Sequence, residues 1–539
     1  MRTCLLLGLT LSVISCASSP GELPDPPKLT VLTPARATVR DQAGLIEVTG
    51  TVTPNLAGDR VTGVQVNGVD ANLAADGSFT AQVQLAPGAT LLHTIARADG
   101  GGEARDTRAV HAGEVRSGAD LVERGMAVAL SAPALASVAT AAGTLMKATD
   151  FAPILAPLNP MVSAGADNGE DCNWGKVYVH DVNMTDAAFT LVPAAGGITF
   201  RAELTNVDVP AHARHEVLCV NGTTNLRMTA TKVVVSGTLK VTPKAGGDGF
   251  DVVILNPQTQ LTGFNLEASG LPGAILNLLN LDSAIGGIIA RTAQTFMGPL
   301  VNRLLGGLAG PKQIELAGKT IEFQVSTEDV RFDPAGGQVD LSTRMILAGS
   351  DATFIYTPND PIILDPGSGL AIGISDDAAN QLLASVTKAG MLNLSLPAIG
   401  GTFDTAAISA TLPPMISADG ATGKLELLAG DLTMTFLAGN QEVAHVAVSI
   451  TASLSALPSA QGVQLQLDPP EVYATVIDNI SGYEDADKED MIKLVIDHDV
   501  ELLSLLFGNI PLPELAGMRL QNTTVQGGSG FIQLSANLQ

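Results

Sequence analysis

The sequence predicts an α+β protein of two halves, each a long curved antiparallel sheet wrapped on one or two helices, behind a small N-terminal β-sandwich. Three observations carry this expectation. Residues 28–116 read as short alternating segments divided by turn residues. The rest of the chain alternates apolar helical stretches with strand-rich stretches, and does so twice. The 539 residues are 46% apolar and only 15% charged, which is globular composition with enough chain for several cores. Charge narrows the function classes: 29 Lys and Arg against 54 Asp and Glu give −25, which argues against nucleic acid or anionic headgroups as electrostatic partners. Aromatic residues make up 4% with a single Trp, so stacking platforms for bases or sugars are poorly supplied.

Residues 1–15 read as an export signal, with Arg2, an apolar run and small residues leading into Cys16. The run is too short for a spanning helix, which needs about 20 apolar residues. Val13-Ile14-Ser15-Cys16 resembles a bacterial lipobox, which makes Cys16 the lipid-attachment residue. An ordinary secretory signal with an incidental cysteine is the alternative. Ala17, rather than Asp, after the cysteine goes with sorting to the outer membrane, where the anchored protein would face the periplasm or the cell exterior. Cys4 leaves with the signal, so Cys172 and Cys219 remain, and in an oxidising compartment the simplest reading is a disulfide. A metal or reactive-thiol site lacks the His and Cys clustering it needs.

Residues 16–27, rich in Pro, Ser and Gly, read as a lipidated tether. In 28–116 the segments Leu45–Val52, Val61–Gly68, Gly77–Leu85 and Leu91–Ala98 alternate, and Asn67-Gly68 and Asp76-Gly77 supply hairpin turns. The segment resembles a bacterial immunoglobulin-like module. In 117–318 a strand from Gly125 runs into an apolar helix at about Ala132. Strands follow from Lys176, Ala188, Gly197, Glu216, Leu226 and Phe250, and a second apolar helix spans about Pro272 to Leu308, interrupted at Gly286-Gly287 and Pro299. In 319–539 strands start near Ile321, Gln338 and Leu370. Ser375 caps a helix with Asp376 and Asp377 in its first turn and Gly390 as its stop. More strands lie near Leu425, Leu432, His445 and Val463, and a last helix covers about Asp485 to Leu506.

Several of these stretches share a resemblance. Gly369-Leu-Ala-Ile-Gly-Ile-Ser375, with the helix after it, ends in Ala389-Gly390 and an apolar strand; Phe507-Gly-Asn-Ile-Pro-Leu-Pro513 leads to a closing strand; and Gly197–Val209 alternates over a long strand. Taken in order over about 118–539, they resemble the family of bactericidal/permeability-increasing and lipopolysaccharide-binding proteins. The resemblance implies a tubular lipid-binding fold: two tandem barrels joined through a central sheet, holding acyl chains in apolar grooves between helix and sheet. Candidate groove residues are Leu135, Val138, Leu145, Ile275, Leu279 and Ile288 in the first half, and Leu382, Leu383, Val386 and Met391 in the second. Cys172 and Cys219 resemble the first-barrel disulfide of that family. The chain departs from the host-defence members, which bind lipopolysaccharide through a cationic tip, because its first half carries no Lys/Arg cluster.

Enzyme motifs are wanting. Ser385-Val-Thr-Lys388 matches S-x-x-K, but no S-D-N or K-T-G partner follows. Asp485–Asp490 lacks the turn Gly and spaced Glu of a calcium loop, Asp167–Asp171 reads as an exposed acidic loop, and His212 with His215 is the one close His pair, expected in a loop. The expectation is therefore a membrane-anchored lipid-binding protein, not an enzyme, with no cofactor, no metal and no nucleic acid. Its partner would be phospholipid or another acyl lipid, and transfer of that lipid between membranes is the further expectation. The alternative is a non-transporting surface adhesin or scaffold whose barrels are filled by side chains.

Overall fold

The computed structural model describes residues 26–56, 58–167, 172–247, 249–279, 310–316, 319–357, 361–397, 403–419, 424–439, 441–459, 462–479, 509–511 and 520–538. Cys16, Ile288, the tether up to residue 25, most of the expected Pro272–Leu308 helix and the expected Asp485–Leu506 helix lie outside them. The described chain is predominantly β-strand, with few helices. It divides into two compact units, the smaller drawn from residues up to 38, 44–85 and 91–110, the larger chiefly from His111 onward.

In the smaller unit Lys28–Thr33, Gly44–Thr53, Ser78–Leu85 and Asn72–Leu73 form a four-stranded sheet. Val48, Val52, Phe79 and Val83 are buried at alternate positions, as period-two patterning requires. Val61–Val66, Val69–Asp70 and most of Gly88–Ala98 and Glu103–Ala112 belong to a second, five-stranded sheet.

Three larger sheets follow. The first runs Val162–Ala164, Asn173–Val179, Gly197–Val217, Val220–Pro243 and Phe250–Thr262, with Asp186–Ala194 paired along Gly197–Val217 and Asn265–Glu267 along Val220–Pro243. A second, central sheet orders Gly310–Leu316, Lys319–Asp333, Gly336–Leu347, Val122–Ser131, Leu370–Ser375, Phe531–Leu538 and Leu520–Gly528. Val122–Ser131 thus sits between two strands that come far later in the sequence, antiparallel to both. The third sheet is built on Lys424–Ala438 and Gln441–Ser459, with shorter strands on either side.

The long hairpin of Gly197–Val217 with Val220–Pro243 is paired from Ile198↔Leu239 to Val217↔Val220. The sequence reads Glu216–Val220 as a separate strand; it is the hairpin's turn, made by Leu218 and Cys219 at φ 50° and 65°. Two-residue turns of this kind favour Asn-Gly, so Leu-Cys gives no turn signal. Along the first strand Ile198, Phe200, Ala202 and Leu204 are buried, then Val207, Ala211 and Ala213, the parity changing at Asn206 with φ 50°. Along the second, Leu226, Met228 and Ala230 precede Val233, Val235 and Leu239. Both strands change parity at the same level, so one face stays apolar along its length and joins a single hydrophobic cluster.

Helix α1 (Ala132–Lys147) starts where Val122–Ser131 ends. Ser131 Oγ accepts from Ala134 N at 3.2 Å, and Pro133 fits the first turn. Short helices α2 (Ala152–Leu155) and α3 (Gly273–Leu279) also belong to the first half. Helix α4 (Asp376–Lys388) follows Leu370–Ser375 as expected: Ser375 Oγ accepts from Ala378 N at 3.1 Å, and Gly390 takes φ 69° as Met391 N donates to Val386 O. No described helix is long and apolar enough to cross a membrane.

Candidate functional site

The groove candidates of the first half come together. Leu135 and half-buried Leu145 on α1, and Ile275 and Leu279 on α3, join the cluster that includes Val177, Phe200, Leu226 and Met228 of the sheet. Val138 is also buried on α1. Two glycines set how close the helices come. A Cβ at Gly143 of α1 would lie 2.5 Å from the carbonyl oxygen of Ala187, so the bare glycine lets the helix touch the Asp186–Ala194 strand. A Cβ at Gly175 would meet Ile275 and Leu279 at 3.1 and 3.2 Å, so α3 rests on a strand position without a side chain.

Nothing polar ties α1 to the floor beneath it. Its Ser and Thr hydroxyls bond back within the helix, Ser137 to Pro133 O, Thr140 to Ala136 O and Thr144 to Thr140 O. Among the described residues its one side-chain tie to the sheet is the exposed Lys147–Asp186 pair at 3.2 Å. The buried α1 residues are Ala134, Leu135, Val138, Ala139, Ala142, Gly143 and Met146, small or flexible groups that meet the sheet by dispersion alone.

The second-half candidates do not form a matching floor. Leu383 belongs to the main core with strands of the central and third sheets, whereas Val386, with half-buried Leu382 and Met391, makes a small separate cluster with Ile321, Leu347 and Leu392. Helix α4 is instead held by buried polar side chains that the amphipathic pattern does not announce. Asn380 both donates to Ile416 O (2.9 Å) and accepts from Ile416 N (2.7 Å). Gln381 accepts from Met345 N (2.7 Å) and donates to the carbonyls of Gly118 and Asp120 (3.1 and 2.8 Å). Ser385 Oγ, the serine of the S-x-x-K match, accepts from Leu347 N at 2.7 Å and is fully buried, so it faces no open site. Asp376 accepts from Ala418 N and Asp377 from Thr357 N and Oγ1. Burial, chiefly, pushes the Asp377 carboxyl up to about 7.

Cys172 and Cys219 form a disulfide with Cα atoms 4.4 Å apart, beside the turn of the long hairpin. Glu216 lies near both sulfurs, but thiols joined to each other are not metal ligands. His212 and His215, close in sequence, lie within the Gly197–Val217 strand, not in a loop, and the pleat sends them to opposite faces. His212 stacks on Tyr178, and its Nδ1 lies 2.8 Å from Nε2 of His180, a partner visible only once Asn173–Val179 pairs with the hairpin. Desolvation, then His180 and Arg214, lower the pKa of His212. His215 is buried beneath the other face, among the apolar residues.

The fold and site together define a predominantly β protein with a long apolar sheet face that shares one hydrophobic cluster with helices α1 and α3. No family model and no curated protein match the chain. Among solved structures it is similar to lipopolysaccharide binding protein, at 14% identity and a TM-score of 0.40 over 78% of this chain and 99% of that one. It is also similar to P47 of Clostridium botulinum E1, at 9% identity and a TM-score of 0.31 over 78% of this chain and all of that one.

Proposed function

We propose that the chain binds the acyl part of a lipid between helices α1 and α3 and the apolar face of the long hairpin. One observation carries this reading: α1 meets that face without a buried hydrogen bond, so helix and sheet can part to admit an acyl chain while breaking only dispersion contacts. Each methylene so buried contributes about 0.8 kcal/mol, which suits a phospholipid or another acyl lipid. The tandem-barrel architecture, the immunoglobulin-like module and the anchor at Cys16 on the outer membrane belong to the same proposal, as does binding without catalysis. Transfer between membranes is its sharper form. The scaffold alternative draws support from the second half, where polar side chains fasten α4 in place.

The test is native mass spectrometry with lipid extraction, on the exported protein carrying Cys16→Ser. Stoichiometric acyl lipid, lost on Leu135→Glu, is the expected result. A folded, lipid-free protein that takes up no fluorescent lipid would leave the scaffold reading in its place.

A further inference from the structure

Of the inward positions of the Gly197–Val217 strand, one is polar. His215 continues the buried series of Val207, Ala211 and Ala213, is 6% exposed, and its Nδ1 has no hydrogen-bond partner among the described residues. A buried imidazole nitrogen left unpaired is costly, and this one is available to a ligand that brings a hydrogen-bonding oxygen. The cross-strand neighbours of His215 supply none. Register places Gly175 on one side of His215 and Gly222 on the other, so neither neighbouring strand carries a side chain at its level. The ring lies over Gly222, where a Cβ would come 2.6 Å from Nε2. Gly175 is the position on which Ile275 and Leu279 of α3 rest, so the imidazole stands beside the apolar floor and near the disulfide end of the hairpin.

We propose that His215 is the polar anchor of the groove, its Nδ1 hydrogen-bonding an oxygen at the polar end of a bound acyl lipid, an ester or carboxyl group. The apolar floor grips the chain without regard to its polar end, whereas one directed hydrogen bond in a desolvated site fixes depth and orientation. Neutral imidazole serves as donor to a carbonyl or carboxylate oxygen when Nδ1 carries the proton. This inference rests on the lipid-binding reading, and the experiment separates the two.

The full chain with its disulfide intact is titrated with a pyrene-labelled fatty acid and with a pyrene-labelled hydrocarbon of equal length. In His215→Phe, affinity for the acid is expected to fall about tenfold while affinity for the hydrocarbon holds or rises, and His215→Gln should recover part of the loss. The lipid-free His215→Phe protein should also melt at a higher temperature, because the unpaired nitrogen is gone. Equal binding of both probes by His215→Phe and the parent would overturn the anchor and leave lipid binding standing. A parent that binds neither probe would overturn both.

Discussion

Helices α1 and α4 begin alike and end differently. Each leaves a strand of the central sheet, Val122–Ser131 or Leu370–Ser375, and these two strands are antiparallel neighbours. Each is capped by the serine that closes its strand, with Oγ accepting from the amide three residues on. Beyond the cap, α4 buries Asp376, Asp377, Asn380, Gln381 and Ser385, while the buried face of α1 holds no polar side chain. Directed hydrogen bonds fix a helix at one height and rotation; dispersion contacts fix only its distance. The second helix is therefore held by hydrogen bonds and packing, the first by packing alone.

The sharpest way to break this comparison is to cut the fastening. Gln381→Leu would strand the amide of Met345 and the carbonyls of Gly118 and Asp120, at a cost of about 3–5 kcal/mol in denaturant unfolding, with lipid uptake per folded molecule unchanged. A large loss of uptake at equal folded fraction would place the site on α4 instead.

Next comes Gly143→Ala, whose methyl meets the Ala187 carbonyl. It should cost about 1–3 kcal/mol and, by lifting α1 from the Asp186–Ala194 strand, speed lipid entry in stopped-flow fluorescence. Unchanged or slower entry would show that lipid does not enter beneath α1.

Acid titration gives opposite signs at two buried groups. Asp377, raised to about 7 from an ordinary 3.8, favours the protonated fold, so its contribution is full below pH 3.8 and is lost as pH rises through 7. Asp377→Asn should flatten that decline, a difference of about 2–3 kcal/mol between pH 5 and 8 read by thermal melts. His111 runs the other way: burial lowers it to about 4 from 6.5, so its contribution is full above 6.5 and is lost as pH falls through 4. The smallest effect belongs to Lys147→Ala, which removes an exposed ion pair and should change stability by less than about 1 kcal/mol.

The sequence made some of this legible. Alternation marked strands of the smaller unit, and Ser375, the paired aspartates and Gly390 framed α4 at its observed ends. The apolar run from Ala132 announced α1, and Cys172 and Cys219, expected to pair, are joined. What stayed hidden was long-range. Asn380 and Gln381 read as ordinary polar helix residues, because their partners Ile416 and Met345 are 36 residues away in each direction. His212 looked paired with His215, in a loop, since pleating is invisible until the strand is recognised. His215, flanked by Gly175 and Gly222 across two strands, could be found only from register.

The central sheet also sets when this chain can finish folding. Leu370–Ser375 has Val122–Ser131 on one side and Phe531–Leu538 on the other, so its second neighbour is synthesised more than 150 residues after it. Until then a bare apolar strand edge waits, open to whatever other strand arrives first. Pairing across such separations is slow, because chain closure comes before any contact compensates it. A ribosome-bound or shortened chain therefore stays adhesive along that edge until Phe531–Leu538 closes it.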